Sequence, residues 1–117
     1  ALTVGKYQLS RDDSVDKLNV QIEGLKGSPT LSGNGAGVVG AFTDAISQHT
    51  GHKIIVVEYS EHTLGSDGDA EAICYVQLAI DSTRVCGVGR STDIVQATMS
   101  AILSGLHRYA GAWMRAA

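Results

Sequence analysis

A glycine-rich turn between a β-like run and a small-residue helix occurs twice in this chain, and that repetition restricts the fold more than any other feature. The first copy runs Leu31-Ser32-Gly33-Asn34-Gly35-Ala36-Gly37 into Val38, and the second runs Val85-Cys86-Gly87-Val88-Gly89 toward Thr92. Setting Gly35 on Gly87 also sets Gly37 on Gly89, Phe42 on Ile94 and Ala45 on Ala97. Two further strand-like runs precede each copy. The expectation is an α+β fold of two β-β-β-α units related by an internal pseudo-two-fold, with sheets packed against two helices. Neither half buries its sheet alone, and paired halves leave a seam where a small ligand fits. Because 14 of the 117 residues are glycine, chance recurrence of a turn is the plain alternative.

The chain between the glycines follows the same plan. Gly5 to Arg11 forms a short strand ended by Asp12-Asp13-Ser14. Lys17 to Leu25 alternates, with Leu18, Val20 and Ile22 on one side and Asn19, Gln21 and Glu23 on the other, as a half-buried strand does. Pro29 closes a turn, and Thr30 to Ser32 leads into the glycines. Val38, Val39, Phe42, Ala45 and Ile46 recur at helical spacing up to Gln48, and Gly51 supplies a C-terminal stop. Ile54-Ile55-Val56-Val57 is a β-branched run of the kind that sits in a strand covered on both faces, here over Lys53 to Ser60. Gly65 to Asp69 reads as a loop, and Ala70 to Ile80 as a long strand with Ala72, Cys74, Val76 and Leu78 on one face. Asp81-Ser82 turns it into Thr83 to Val88. Thr92 is the expected N-cap, with Asp93 in the first turn of a helix reaching Tyr109. The tail from Gly111, with Trp113, has no clear pattern.

Composition narrows the function. At 117 residues the chain is one domain. Aromatics are only 5%, so Ala, Gly and Val fill a core that buries little area per residue, and a partner chain is expected to cover part of it. The net charge of −3 leaves no electrostatic footprint for nucleic acid or an anionic membrane. No run in this sequence approaches the roughly 18 apolar residues of a membrane span, and none reads as a signal peptide, so neither is expected within these residues. Cys74 and Cys86 lie in apolar runs without metal-ligand spacing and read as buried thiols, which suits a reducing, cytoplasmic compartment. The start at Ala1 reads as a piece cut from a longer protein, or as a chain that lost its Met before Ala.

Gly33, Gly35 and Gly37 imitate a dinucleotide fingerprint, with Glu58 about 20 residues further on. The strand before them is short, however, and hairpins follow where crossovers are needed. Bare N–H groups at a helix start hold a carboxylate equally well, and a glycine that merely eases a strand-to-helix turn explains any one of them. Glu58, Glu61 and His62, with Asp67 or Asp69 added if the loop folds back, are weak metal candidates: two carboxylates and an imidazole make a sensible donor set, but Glu58 and His62 share one strand face while Glu61 takes the other. Tyr59 ends an apolar strand, where its ring can line a cavity while its hydroxyl finds a partner. Neither cysteine has an activating histidine nearby in sequence, and no serine sits in a nucleophile elbow.

The segments Gly35-Ala36-Gly37-Val38-Val39-Gly40-Ala41-Phe42, Glu58-Tyr59-Ser60-Glu61-His62-Thr63-Leu64-Gly65, Asp69-Ala70-Glu71-Ala72, and Gly87-Val88-Gly89 with Asp93-Ile94 resemble the C-terminal regulatory domain of the 2-isopropylmalate synthase and citramalate synthase family. The likeness covers roughly residues 18 to 108 and includes the closing Leu106-His107-Arg108. It implies a dimerising domain of two β-β-β-α units that binds the end-product amino acid, leucine in the synthases and isoleucine in the citramalate branch. The acyl-transfer chemistry, its divalent metal and its acetyl-CoA site would belong to a separate catalytic barrel, so this chain would sense and not catalyse, with no catalytic residue and no cofactor of its own.

Carried across by motif, the resemblance implies an effector site of Gly35, Gly37, Val39 and Gly40, then Val56, Tyr59 and Thr63, then Ala70, Ala72 and Arg90. Thr63 and Arg90 depart from the family pattern, where Ala and an apolar residue are usual, and both make the site more polar. Physically, a free amino acid needs an anion site, an ammonium acceptor and an apolar slot. The glycine turn supplies the first, carbonyls or Asp69 the second, and Val39, Val56, Ala70 and Ala72 the third. A domain that only dimerises, and a small metal-dependent hydrolase using Glu58, Glu61 and His62, are the rival expectations.

Overall fold

The structure is a computed structural model that describes residues 2–24, 26–65 and 70–109. Thr3–Asp12 (β1), Val15–Glu23 (β2) and Thr30–Gly35 (β3) form one antiparallel sheet in that order, followed by Gly37–Thr50 (α1). Ile54–Leu64 (β4), Glu71–Ile80 (β5) and Thr83–Ser91 (β6) form the second, followed by Ile94–Tyr109 (α2). The expected α+β duplication is therefore the fold. Each helix packs on the second and third strands of its own unit, and the first strand of each unit reaches the helix of the other: β1 touches α2, and β4 touches α1.

The apolar alternation sets the sheets. Leu18, Val20 and Ile22 on β2, and Cys74, Val76, Leu78 and Ile80 on β5, are buried beneath the helices. Two-residue turns at Asp13-Ser14 and Asp81-Ser82 join β1 to β2 and β5 to β6. All four residues have positive φ, between 48° and 78°, as the primed turns of tight hairpins require at both central positions. Each first strand also carries one bulge, between Val4 and Tyr7 in β1 and between Val56 and Glu58 in β4.

Gly33, Gly35, Gly87 and Gly89 lie in the strands, not in the turns the sequence suggested, whereas Gly37 does sit at the turn, opening α1 at φ 73°. Gly33 pairs with Leu18, Gly35 with Asp16, Gly87 with Val76 and Gly89 with Cys74. A Cβ on Gly33 would stand 2.2 Å from the Ala41 carbonyl oxygen, and one on Gly87 2.0 Å from that of Ala101. Helix and strand thus meet backbone to backbone, and the small-residue composition is the condition for that approach. These contacts also correct the alignment of the repeat. Gly33 corresponds to Gly87 and Gly35 to Gly89, while Ala41 corresponds to Ala101, so α2 carries about one more turn at its start than α1 does.

Several boundaries move for related reasons. Gly51, in the left-handed region at φ 78°, stops α1 and donates its N–H to the Ser47 carbonyl, as expected. The N-cap of α2 is Asp93, not Thr92: its Oδ1 accepts the N–H of Val95 at 2.9 Å and of Gln96 at 3.4 Å. The run Ile54–Val57 is covered on one face only, because Ile55 is 48% and Val57 39% exposed. Cys86 is exposed on β6, whereas Cys74 is buried as expected. Helix α2 is buried around most of its girth, since sheet and α1 enclose it: Met99 and Leu103 are buried as well as Ala97, Ala101, Ile102 and Leu106. Leu25, the loop 66–69 and the segment 110–117 with Trp113 lie outside the described residues.

Candidate functional site

Tyr59, Glu61 and Thr63 lie on the inner face of β4, opposite Val76, Cys74 and Ala72 of β5. The bulge makes this possible: Val56 and Tyr59 are three residues apart yet both point inward, opposite Leu78 and Val76. The Tyr59 hydroxyl sits 3.0 Å from Thr98 Oγ1 and 3.5 Å from Cys74 Sγ, and donates to Glu61 Oε2 at 2.9 Å. Burial pushes the phenol well above its ordinary range, and its contacts with Cys74 and Glu61 push the same way, against a smaller lowering by Thr98. Tyr59 is therefore a neutral phenol at any physiological pH. Thr98 is the one buried polar side chain in the core among the described residues, and it also donates to the Ile94 carbonyl at 2.9 Å.

Beyond this cluster the inner face of β4 and β5 outruns the cover of α2, and a cavity of about 270 Å³ opens there. Glu61, His62 and Thr63 of β4, Ala70, Glu71 and Ala72 at the start of β5, and Thr92 and Ile94 at the start of α2 line it. The structure thus brings together three of the expected effector residues, Thr63, Ala70 and Ala72. None of Gly35, Gly37, Val39 and Gly40 lines this cavity; they belong to the first unit, where Gly35 and Gly40 meet at the crossing of β3 and α1. Arg90 reaches away to the Glu71 carboxylate at 2.6 Å on the exposed side of the sheet.

The helix start offered as an anion site already holds a carboxylate. Asp16 Oδ2 accepts the Gly37 N–H at 2.6 Å, and Arg11 Nε lies 3.8 Å from its other oxygen. Asp16 replaces the side-chain cap that Ala36 lacks. One signal for it was legible: Asp16 extends the inward series Leu18, Val20, Ile22 by one alternation, and a carboxylate on the apolar register needs a partner. Thr98 was equally visible as the one hydroxyl in the stripe Ala97, Ala101, Ile102. Tyr7 gave no such signal, because only the bulge in β1 turns it inward.

Glu58 and His62 face outward on β4 and Glu61 inward, as the alternation required. Among the described residues no three His, Cys, Asp or Glu side chains gather as a metal site would. No helix among them is long and apolar enough to cross a membrane.

Fold and register define the class first: a duplicated β-β-β-α domain whose two halves share their sheets' cover. The chain belongs to the LeuA allosteric (dimerisation) domain family, whose model matches residues 1–110. Its relatives include the 2-isopropylmalate synthase of Brucella suis biovar 1 (strain 1330), 40% identical over 79 residues that make up 68% of this chain and 14% of that protein. The 2-isopropylmalate synthase of Parafrankia sp. (strain EAN1pec) is 37% identical over 106 residues, 90% of this chain and 18% of its own length. That of Mycobacterium leprae (strain TN) is 36% identical over 78 residues, 67% of this chain and 13% of the relative. The chain therefore spans less than one fifth of the length of these curated relatives.

Proposed function

We propose that this chain is the amino-acid-sensing, dimer-forming regulatory domain of a 2-isopropylmalate-synthase-type acyltransferase, and that its effector is L-leucine. The observation that carries the effector reading is the cavity beside the α2 start, where Thr63, Ala70 and Ala72 meet within 270 Å³. The two alanines offer an apolar slot, and the inward-facing Glu61 carboxylate at its wall suits an ammonium group. Feedback inhibition follows if leucine binding here biases a catalytic barrel elsewhere in the parent protein, to which the divalent metal and acetyl-CoA belong. Two free thiols suit a cytoplasmic setting.

The two sheets differ in a way that supports a homodimer formed on the second. The outer face of the first sheet carries Gln8, Ser10, Lys17, Asn19, Gln21, Ser32 and Asn34, with Val15 at its end the one large apolar side chain exposed there. The outer face of the second exposes Ile55, Tyr75 and Val88, at 48%, 46% and 42%, with Tyr75 and Val88 directly paired. A second copy covering this face supplies the burial that an aromatic-poor core lacks. The dimerisation-only alternative has its own support, since Asp16 already fills the Gly37 N–H and Glu71 already engages Arg90.

A thermal-shift screen against the twenty amino acids, repeated with chelator, separates these readings. Leucine at about 100 times its dissociation constant should raise stability by about 2.7 kcal/mol. A shift with isoleucine alone would assign a citramalate-synthase-type sensor, and no shift with any amino acid would leave dimerisation as the whole function. A hydrolase reading requires an activity that the chelator abolishes.

A further inference from the structure

The Tyr7 hydroxyl donates to Asp93 Oδ2 at 2.5 Å, and among the described residues this is the one side-chain hydrogen bond that joins the two β-β-β-α units. Its acceptor is no ordinary surface carboxylate. Asp93 caps α2 through Val95 and Gln96, its own N–H is held by Ser91 Oγ at 3.1 Å, and its neighbours Thr92 and Ile94 line the cavity. The donor is aimed deliberately. Val4 and Tyr7 are three residues apart, so in a regular strand they would face opposite sides; the bulge between them turns both inward, opposite Ile22 and Val20. The Tyr7 ring packs against the core, while its oxygen reaches 86 positions along the chain. The hydrogen bond to Asp93, more than burial or charge, pushes the phenol up to about 12.

We infer that Tyr7 is a positioning residue for the cavity in the other unit: its hydroxyl fixes Asp93, and through the cap it fixes the first turn of α2, which forms one wall. The second unit thus does not build its site alone. The extra turn that α2 has and α1 lacks is the turn so held, so the latch has no counterpart in the first unit. That the wall matters for an amino-acid ligand rests on the function proposed above, whereas the positioning of α2 does not.

The test is Tyr7→Phe in the whole chain, which keeps the ring and removes only the hydroxyl. Amide exchange at Val95 and Gln96 reports local opening of the cap and should quicken about tenfold, while amides in the middle of α2 keep their protection. Leucine affinity by calorimetry should weaken by a similar factor. Asp93→Asn retains a competent cap through Oδ1 but puts an amide N–H, which donates to the phenol oxygen, where Oδ2 accepted its proton, so it should fall between wild type and Tyr7→Phe in both measurements. Unchanged exchange at Val95 and Gln96 in folded Tyr7→Phe would overturn the positioning role. Faster exchange with unaltered leucine affinity would overturn its link to the cavity. Faster exchange in a chain whose wild type binds no leucine would support the positioning and sink the amino-acid reading instead. If Tyr7→Phe does not fold, the ζ-carbon resonance of Tyr7 in wild type decides: it should move on addition of leucine, and a fixed resonance at saturation would overturn the link.

Discussion

Gly87→Ala is the substitution with the most severe expected effect, and its size follows from backbone geometry alone. The added Cβ would lie 2.0 Å from the Ala101 carbonyl oxygen, 2.6 Å from the Gly105 nitrogen and 3.1 Å from the Gly105 Cα. Real Cβ atoms do not approach within 3.0 Å, so α2 must withdraw from β6 by at least about 1 Å (3.0 less 2.0). Every nearest atom is backbone, and no rotamer change relieves the clash. Overpacking of this kind costs up to about 3 kcal/mol, and the stiffer unfolded chain returns about 0.4–1 kcal/mol. A net loss of up to about 2–2.6 kcal/mol lowers the melting temperature of a domain this size, between the 100- and 150-residue ranges, by roughly 6–16 °C. Gly33→Ala, whose Cβ would stand 2.2 Å from the Ala41 oxygen, should cost about as much if the two units are true structural equivalents. Melting curves by circular dichroism, with urea titrations to check the slope, give the comparison. A loss under about 1 kcal/mol at either glycine would refute the backbone-to-backbone packing on which the duplication rests.

Asp16→Ala removes the surrogate cap of α1 and should cost about 1 kcal/mol, measured by urea unfolding; no loss would mean that Gly37 does not depend on that carboxylate. Asp81 is held below its ordinary carboxylate range, first by the Lys53 N–H and then by His52. Its charged form is therefore favoured in the folded state, and the stability it adds is present above the unfolded value and lost as pH falls below it. Asp81→Asn should accordingly lower the melting point at pH 7 but not near pH 2. Tyr75→Lys should leave the fold intact and give monomers in sedimentation, while Gln8→Lys on the other sheet should not; two stable dimers would move the interface elsewhere.

The sequence displayed the duplication because glycines at a strand–helix crossing leave little choice of side chain, and those glycines recur. It misplaced them in turns because a Gly-X-Gly run looks the same in a strand that a helix presses upon as in a loop. The repeat offset was misjudged for a related reason: the extra turn of α2 shifts helix against strand, and a gapless alignment cannot absorb it. Thr63, Ala70 and Ala72 were grouped by motif and lie together, since a hairpin brings both strand ends to one place whatever its loop does. Tyr7 with Asp93, and Asp16 with Gly37, were invisible as pairs because each contact depends on a bulge or a register. A buried Ile54–Val57 was expected from β-branching alone, yet such a run serves a face awaiting a second copy as well as a face already covered.

The central claim is most directly tested by calorimetric titration of L-leucine into the purified chain, with its mass followed by sedimentation. A dimer that binds leucine in the micromolar range, about 8 kcal/mol, and loses that binding when Ala72 is replaced by a bulky leucine, is the predicted result. A folded dimer that takes up no branched-chain amino acid at millimolar concentration would contradict it.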